Sequence, residues 1–305
     1  MAVSDASSAA PAAPVLLRVR HATTYRYDRP VRFGEHRVLF RPREAHDIGV
    51  ISASLTVNLD ADVRWIQDVH SNSLAIVVPK VEAAELRVEC TTLLNHWGTD
   101  NLEHPLEERA LTLPVAYSAE ERQVLVPWLA AVDDDPNAEV ASWAKRFLEH
   151  TDDTRAVLEA MLSEIRDGFA YQAREAEGTQ AAAVTLRQRT GTCRDYAWLM
   201  IEALRSIGVA CRFVTGYLYD PGLDAGATGG GTRVGSGATH AWLQVYLPGA
   251  GWVPYDPTNR LTGGTDLIRV GYARRPQDAV PLAGSWFGVP EAFLGMTVEV
   301  SVERL

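Results

Sequence analysis

A chain of 305 residues exceeds the usual reach of one hydrophobic core, so two domains are expected. Its hydrophobic fraction of 47% and charged fraction of 22% fit an ordinary soluble globular protein and exclude a coiled coil, a collagen-like repeat or a mostly disordered chain. The net charge of -10, with no basic stripe to offset it, argues against a nucleic-acid partner, because phosphates are held by clustered Lys and Arg.

The first segment, Met1 to Pro14, is small and polar and reads as a disordered tail. It lacks the positive and apolar regions of a secretory signal, and no run in the chain approaches the ~18 apolar residues of a membrane span. Three cysteines (Cys90, Cys193 and Cys211) make an odd, sparse set that argues for reduced thiols. A cytoplasmic protein with no membrane partner is therefore expected.

From Val15 to about Asn95 short alternating runs are separated by turn residues such as Asp28-Arg29-Pro30 and Ser71-Asn72-Ser73. That spacing predicts a β-sandwich or barrel, and residues 15–115 are assigned to a β-rich domain. Its histidines (His21, His36, His46 and His70) are scattered singly and read as solvated or packed, and Cys90 reads as a small core residue. Nothing in the segment is arranged for chemistry.

Helical signals follow in residues 116–264. Ser118 with Glu121 forms a capping box, and Asp135-Pro136 reads as an N-cap with proline at the first helical position. Leu158, Met161, Leu162, Ile165 and Phe169 form one buried stripe. After Cys193, Ala197, Met200, Ile201 and Leu204 continue a helix that stops at Gly208. Strands are expected at 210–219, 240–247 and 252–256, which makes the region an α+β core. Residues 265–305 read as a C-terminal extension closed by a strand at Thr297 to Val302, and no internal repeat is evident.

The chemistry concentrates in this core. Gly191-Thr192-Cys193-Arg194-Asp195-Tyr196 sets a cysteine at a helix start, with Thr192 and Asp195 as a capping-box variant. Free amides and the macrodipole there favour a thiolate, lowering a cysteine pKa from about 8.5 by one or more units. A buried, inert cysteine in a tight turn is the alternative for this motif alone. A thiolate nucleophile needs a histidine to pass the proton to the leaving group. Only His240 opens a clean strand, in which His240, Trp242, Gln244 and Tyr246 share one face. Pro248-Gly249-Ala250-Gly251 turns the chain back, and the return strand ends at Asp256. A register pairing His240 opposite Asp256 would put both on one face and let the carboxylate fix the imidazole tautomer. A surface histidine and a turn aspartate are the bland alternatives, and with Cys193 upstream they require three coincidences.

On these residues the chain resembles the bacterial transglutaminase-like (cysteine protease-like) superfamily. The motifs are GTCRDYAWLMIEALRSIGVACRFVTGYLY at 191–219, Ala238 to Trp242, and Gly251-Trp252-Val253-Pro254-Tyr255-Asp256-Pro257-Thr258-Asn259. Arg18 to Pro42 resembles the β-rich region that precedes the core in one bacterial branch, and Ile268 to Pro281 its C-terminal extension. The resemblance implies a papain-like core with Cys193, His240 and Asp256 as the triad. It also places an aromatic donor at Tyr171, a candidate for the oxyanion hole beside the Cys193 amide; plain packing at a helix end is the alternative. The sequence departs from the branch at Trp198, where histidine is usual, and at Ala273-Arg274-Arg275-Pro276. Trp198 and Trp242 are taken as candidate cleft residues. The glycine-rich Pro221 to Gly237 reads as a disordered insertion or as a lid over the cleft.

The reading is cysteine-dependent acyl transfer on peptide, isopeptide or glutamine amide bonds, with a peptide or protein substrate and hydrolysis favoured. Cross-linking between glutamine and an amine is the alternative within the class. No cofactor or metal is expected: no carboxylate loop has calcium spacing, and a zinc site at Cys193, His240 and Asp256 lacks close ligand pairs. A catalytically silent binding module is the remaining alternative, opposed by the intact triad. The sequence leaves the oligomeric state open.

Overall fold

The computed structural model describes residues 13–98, 104–172, 178–224 and 233–305. The tail therefore lies almost wholly outside the described residues, as does the 225–232 part of the glycine-rich segment.

The N-terminal domain is organised by one strand, β1 (Val15–Val38), which belongs to two sheet layers. Its first half pairs antiparallel with β5 (Ala83–His96) on one side and with β14 (Phe293–Arg304) on the other. β5 pairs outward with β2 (Ile48–Val57). The register against β5 breaks between Arg26 and Val31. Here Pro30 has no N–H to donate, so the ladder is interrupted and the strand changes layers. The Asp28-Arg29-Pro30 segment expected as a turn is thus a break within one strand. Beyond it β1 pairs with β4 (Ser73–Pro79) and β13 (Leu282–Phe287), and β4 with β3 (Ala61–Gln67). Between the layers lie Tyr27, Phe33, Val38, Phe40, Val77, Leu86, Val88 and Cys90. The β-rich, sandwich-like domain expected from the alternating runs is present, and Cys90 is one of its core residues.

The core domain begins with α1 (Ala119–Leu129), opened by the Ser118–Glu121 capping box: Glu121 N–H donates to Ser118 Oγ (3.2 Å), and Ser118 N–H donates to Glu121 Oε2 (2.8 Å). α2 (Glu139–Leu148) starts later than Asp135-Pro136 predicts. Asp135 still caps it, but across a loop: its carboxylate accepts the N–H groups of Glu139, Val140 and Ala141, while Ala138 takes a left-handed conformation (φ 51°). In α3 (Thr154–Gly168) the predicted stripe Leu158, Met161, Leu162 and Ile165 is buried, and Phe169 caps its C-terminus. The short β6 (Ala170–Tyr171) and β7 (Thr190–Gly191) pair in parallel on either side of α4 (Ala182–Gln188).

At the centre lies α5 (Cys193–Ser206), buried at every position except Arg194 and Ser206. A helix so enclosed needs neighbours on all faces. They are α1, α2 and α4 together with a five-stranded antiparallel sheet. The sheet runs β11 (Leu261–Thr262), β10 (Gly251–Asp256), β9 (Thr239–Leu247), β8 (Cys211–Leu218) and β12 (Leu267–Ala273). Ala241, Leu243 and Val245 of β9 join the α5 cluster. Trp242 on the opposite face packs with Val214, Leu218, Leu267 and Tyr272, so the face that carries His240 is buried as well.

The C-terminal extension divides. β12 completes the core sheet, whereas β13 and β14 return to the N-terminal layers, so the extension ties the two domains together. Across the seam Leu17, Leu39, Ile48 and Leu94 share one apolar cluster with the core helices and sheet, and buried polar pairs are set into it. Arg269 on β12 donates to both carboxylate oxygens of Asp47 at 2.5 and 2.6 Å, nearly out of solvent. The Asn72 side chain accepts the Tyr272 N–H and donates to the Tyr272 carbonyl. Among the described residues no helix is long and apolar enough to cross a membrane.

Removing one member of a buried ion pair strands the other, at a cost of about 3 kcal/mol. Asp47→Ala is therefore expected to lower the free energy of urea unfolding by that amount, and Asp47→Ala with Arg269→Met to recover most of it. A single variant as stable as wild type would show that the pair does not bind the seam.

Candidate active site

The start of α5 is fixed by its own residues. The Asp195 carboxylate accepts the Thr192 N–H (2.8 Å), the Thr192 hydroxyl (2.9 Å) and, from the preceding loop, the Gln180 N–H (2.7 Å). Gly191 permits this closure, because a Cβ there would stand 2.8 Å from the Asp195 Cβ. Cys193 is thereby held as the first helical residue, beside the free amides of the opening turn. The thiol sits at the wall of a cavity of about 330 Å³.

His240 lies near the start of β9 and is buried. Its Nε2 meets Asp256 Oδ2 at 2.8 Å. The hairpin register differs from the one expected: Trp252 pairs with Tyr246 and Tyr255 with Leu243, so by continuation Asp256 falls opposite Trp242. The register is displaced by two residues. Parity is unchanged, so Asp256 stays on the face of His240 and reaches it diagonally, within the span of a cross-strand neighbour. The carboxylate is held in turn by the residues after it, accepting the Thr258 N–H and the Asn259 side-chain amide, each at 2.9 Å. Asn259 also joins the Val234 backbone at both N–H and carbonyl, anchoring the end of the glycine-rich segment. From that anchor Gly235 lies against the imidazole: a Cβ there would stand 2.9 Å from Nδ1, and its φ of +92° favours glycine.

With Nε2 committed to Asp256, His240 Nδ1 has no hydrogen-bond partner among the described residues, and Cys193 is close enough to act on the ring electrostatically. Burial opposes a charge on the ring, but Asp256 and Cys193 outweigh it and raise its pKa to about 10. Burial likewise pushes Asp256 up, but the imidazolium and the bonds from Asn259 and Thr258 leave it below its ordinary value. The arrangement favours an imidazolium beside the cysteine at neutral pH. The other two thiols do not line the cavity, and burial raises the pKa values of both Cys90 and Cys211.

Tyr171 lines the same cavity. Burial, with a further contribution from Cys193, pushes its pKa to about 12, so at neutral pH it keeps its O–H. The two tryptophans are placed otherwise than expected. Trp198 does not line the cavity: five residues after Cys193, it lies around the helix and donates its indole N–H to Asp133 (2.9 Å), with Arg205 over the ring. Trp242 does not line it either, but its ring is nearly parallel to the His240 ring at 6.0 Å between centroids, supporting the imidazole from its own strand. The cavity's opposite wall comes from elements that carried no functional signal in the sequence. They are His21 and Thr23 on β1, Met296 and Val298 on β14, and the stretch from Pro276 to Leu282. Alternation gives the face each residue occupies but not which domain covers it. Asn259 was also missed as a site residue, although it lies in the quoted Asp-Pro-Thr-Asn motif.

A cysteine at a helix start, a strand histidine and a carboxylate on the neighbouring strand thus come together, in that chain order, in a papain-like core. The comparisons make the family plain. Residues 141–257 match the transglutaminase-like superfamily core and residues 17–94 the bacterial transglutaminase-like N-terminal region. The chain belongs to the transglutaminase-like superfamily and carries this bacterial N-terminal region. It is 28% identical over 289 residues to an uncharacterized protein of Mycobacterium leprae, covering 93% of this chain and 98% of the relative. A stretch of 70 residues is 36% identical to a protein-glutamine gamma-glutamyltransferase of Pseudomonas aeruginosa, covering 23% of this chain but 10% of that protein. The crystal structure of a candidate cysteine protease from Cytophaga hutchinsonii superposes with a TM-score of 0.70 at 17% identity, covering 96% of this chain and 91% of that one. That likeness shows that the two-domain fold is shared.

The His240 pKa carries a stability signature of definite sign. A raised folded-state value contributes stability that is complete below the ordinary 6.5 and is lost as the pH climbs through about 10. The difference in unfolding free energy between wild type and His240→Gln should therefore shrink from pH 6.5 to about 10. Urea melts across that window check it, and a flat difference would mean that the ring is neutral in the folded protein.

Proposed function

We propose that this protein is an enzyme that cleaves amide bonds through a thioester acyl-enzyme, with water as the usual acceptor. One observation carries the reading: His240 is fixed by Asp256 through Nε2, leaving Nδ1 unpartnered on the ring that Cys193 acts on. The Cys193 thiolate attacks the substrate carbonyl, and the developing oxyanion is held by the Cys193 N–H and the Tyr171 hydroxyl. His240 gives its proton to the leaving amine, and the C–N bond breaks to leave the thioester. Water then enters, His240 takes its proton as it attacks, and the acid leaves as the thiol re-forms. Asp256 keeps the imidazole in one orientation and favours its charged form without itself taking the proton.

Transamidation uses the same first half and differs in the acceptor. The likeness to the Pseudomonas gamma-glutamyltransferase favours it, but over a short stretch of that protein. The cavity lining supports water instead. Among the described residues it includes no Asp or Glu to gather an incoming lysine ammonium, and it includes one arginine.

Two measurements test the reading. With a glutamine-containing peptide library and a labelled primary amine, cleavage or deamidation should exceed amine incorporation and need no calcium; predominant incorporation would favour transamidation. In the second, Asp256→Asn should retain more turnover than Asp256→Ala, both well below wild type, and Cys193→Ala should be inactive. Iodoacetamide should label Cys193 well ahead of Cys90 and Cys211 in wild type, and more slowly in folded Asp256→Ala. Near-normal turnover and Cys193 reactivity in Asp256→Ala would place the orienting carboxylate elsewhere.

A further inference from the structure

Arg194 is the second residue of α5, directly after the nucleophile, and lines the same cavity. Its guanidinium has no hydrogen bond or ion pair with any described residue, yet its charge acts on Tyr171 across the cavity. Among the described residues, the surrounding groups leave it uncompensated. Tyr171 on β6 is protonated, His240 on β9 is the site's other cation, and the described lining includes no carboxylate. Most of the remaining wall is apolar, with Phe213, Val280, Leu282, Met296 and Val298. A half-buried guanidinium without a counter-ion is completed best by a carboxylate, whose two oxygens match the planar fork.

We propose that Arg194 is a specificity-determining residue that receives a carboxylate of the acyl donor, so that preferred substrates combine an apolar body with an anionic group close to the scissile amide. This rests on the acyl-transfer reading and adds the chemical class of the substrate. The carboxylate belongs either to an acidic side chain or to a chain terminus. In both cases the substrate exchanges hydration for a charge-assisted pair at the rim of a partly enclosed cavity, and the ammonium of a lysine acceptor is repelled from the same place.

The experiment compares alkylation of Cys193 by iodoacetate and by iodoacetamide in the full-length protein, with the modified peptide mapped. The two probes share a leaving group and differ in charge. The iodoacetamide rate alone tests the underlying reading: if Cys193 reacts no faster than Cys90 and Cys211, the acyl-transfer reading fails whatever Arg194 does. The iodoacetate-to-iodoacetamide ratio tests the proposal. His240 contributes to that ratio in every variant, so the change on substitution isolates Arg194. The ratio should fall about tenfold in Arg194→Gln, equivalent to about 1.4 kcal/mol, and stay within about twofold of wild type in Arg194→Lys, which also controls for folding. An unchanged ratio in Arg194→Gln overturns the proposal.

Protection of Cys193 from iodoacetamide then distinguishes the carboxylate source. N-acetyl-alanyl-glutamate amide carries a side-chain carboxylate, N-acetyl-alanyl-alanine a terminal one, and N-acetyl-alanyl-glutamine amide none. Stronger protection by either acid than by the neutral peptide, lost in Arg194→Gln, supports the proposal and identifies the source. Equal protection by all three overturns it.

Discussion

An ionised imidazole buried beside an ionised carboxylate is tolerable only where nearly every lone pair and proton has a partner. His240 and Asp256 have no appreciable exposure, and much of the surrounding structure serves this requirement. The residues immediately after β10 cannot simply continue the strand, since Thr258 must present its N–H and Asn259 its amide to the carboxylate. Asn259 then fixes Val234, and with it the position of Gly235 against the imidazole. One buried pair thus determines a hairpin end, a turn and the return of the glycine-rich segment. The one ring nitrogen left without a partner among the described residues is the one the proposed chemistry uses.

The nucleophile is positioned by a separate and equally local device. Asp195 closes the first turn of α5 onto Thr192, and the enclosure of the helix by α1, α2, α4 and the sheet prevents the turn from drifting relative to β9. The two halves of the site meet because α5 packs on the face of β9 that carries Ala241, Leu243 and Val245, while His240 stands near the strand's end.

The sequence was most informative where local chemistry decides structure. The capping boxes at Ser118 and Thr192, the α3 stripe, the core strands and the bond from His240 to Asp256 follow from spacing and residue type, and all are present. The two-residue displacement of the hairpin register was not legible, because parity constrains the face and leaves the offset to the packing of the whole sheet. Asp135 misled for a related reason. An aspartate before proline caps a helix directly or across a loop, and the choice depends on whether the chain can turn at Ala138. Trp198 lay five residues past the nucleophile, too far around the helix to face the cavity, and its partner Asp133 is distant in sequence. The contribution of β1 and β14 to the cleft was invisible, since it arises only when the C-terminal extension leaves the core sheet and pairs with the first strand.

That return has an electrostatic consequence for the site. It encloses the cavity with His21, and a second imidazolium there would repel the one on His240 and compete for any anionic substrate. The structure prevents it. The Tyr217 hydroxyl donates to the Phe40 carbonyl, so toward His21 Nδ1 (3.0 Å) it serves as acceptor and Nδ1 carries the hydrogen. His21 Nε2 is then left as an acceptor for the Thr23 hydroxyl (3.3 Å), and the ring stacks on Phe40 at 3.6 Å. Burial without a carboxylate drives the His21 pKa down to about 3, whereas His240, more deeply buried but beside Asp256, is driven up to about 10. Two histidines line one cavity in opposite protonation states, and the difference lies chiefly in the carboxylate at the end of β10, with Cys193 adding to it. The N-terminal domain therefore supplies a wall that is polar enough to hydrogen-bond yet uncharged. Among the described lining residues, positive charge is confined to His240 and Arg194.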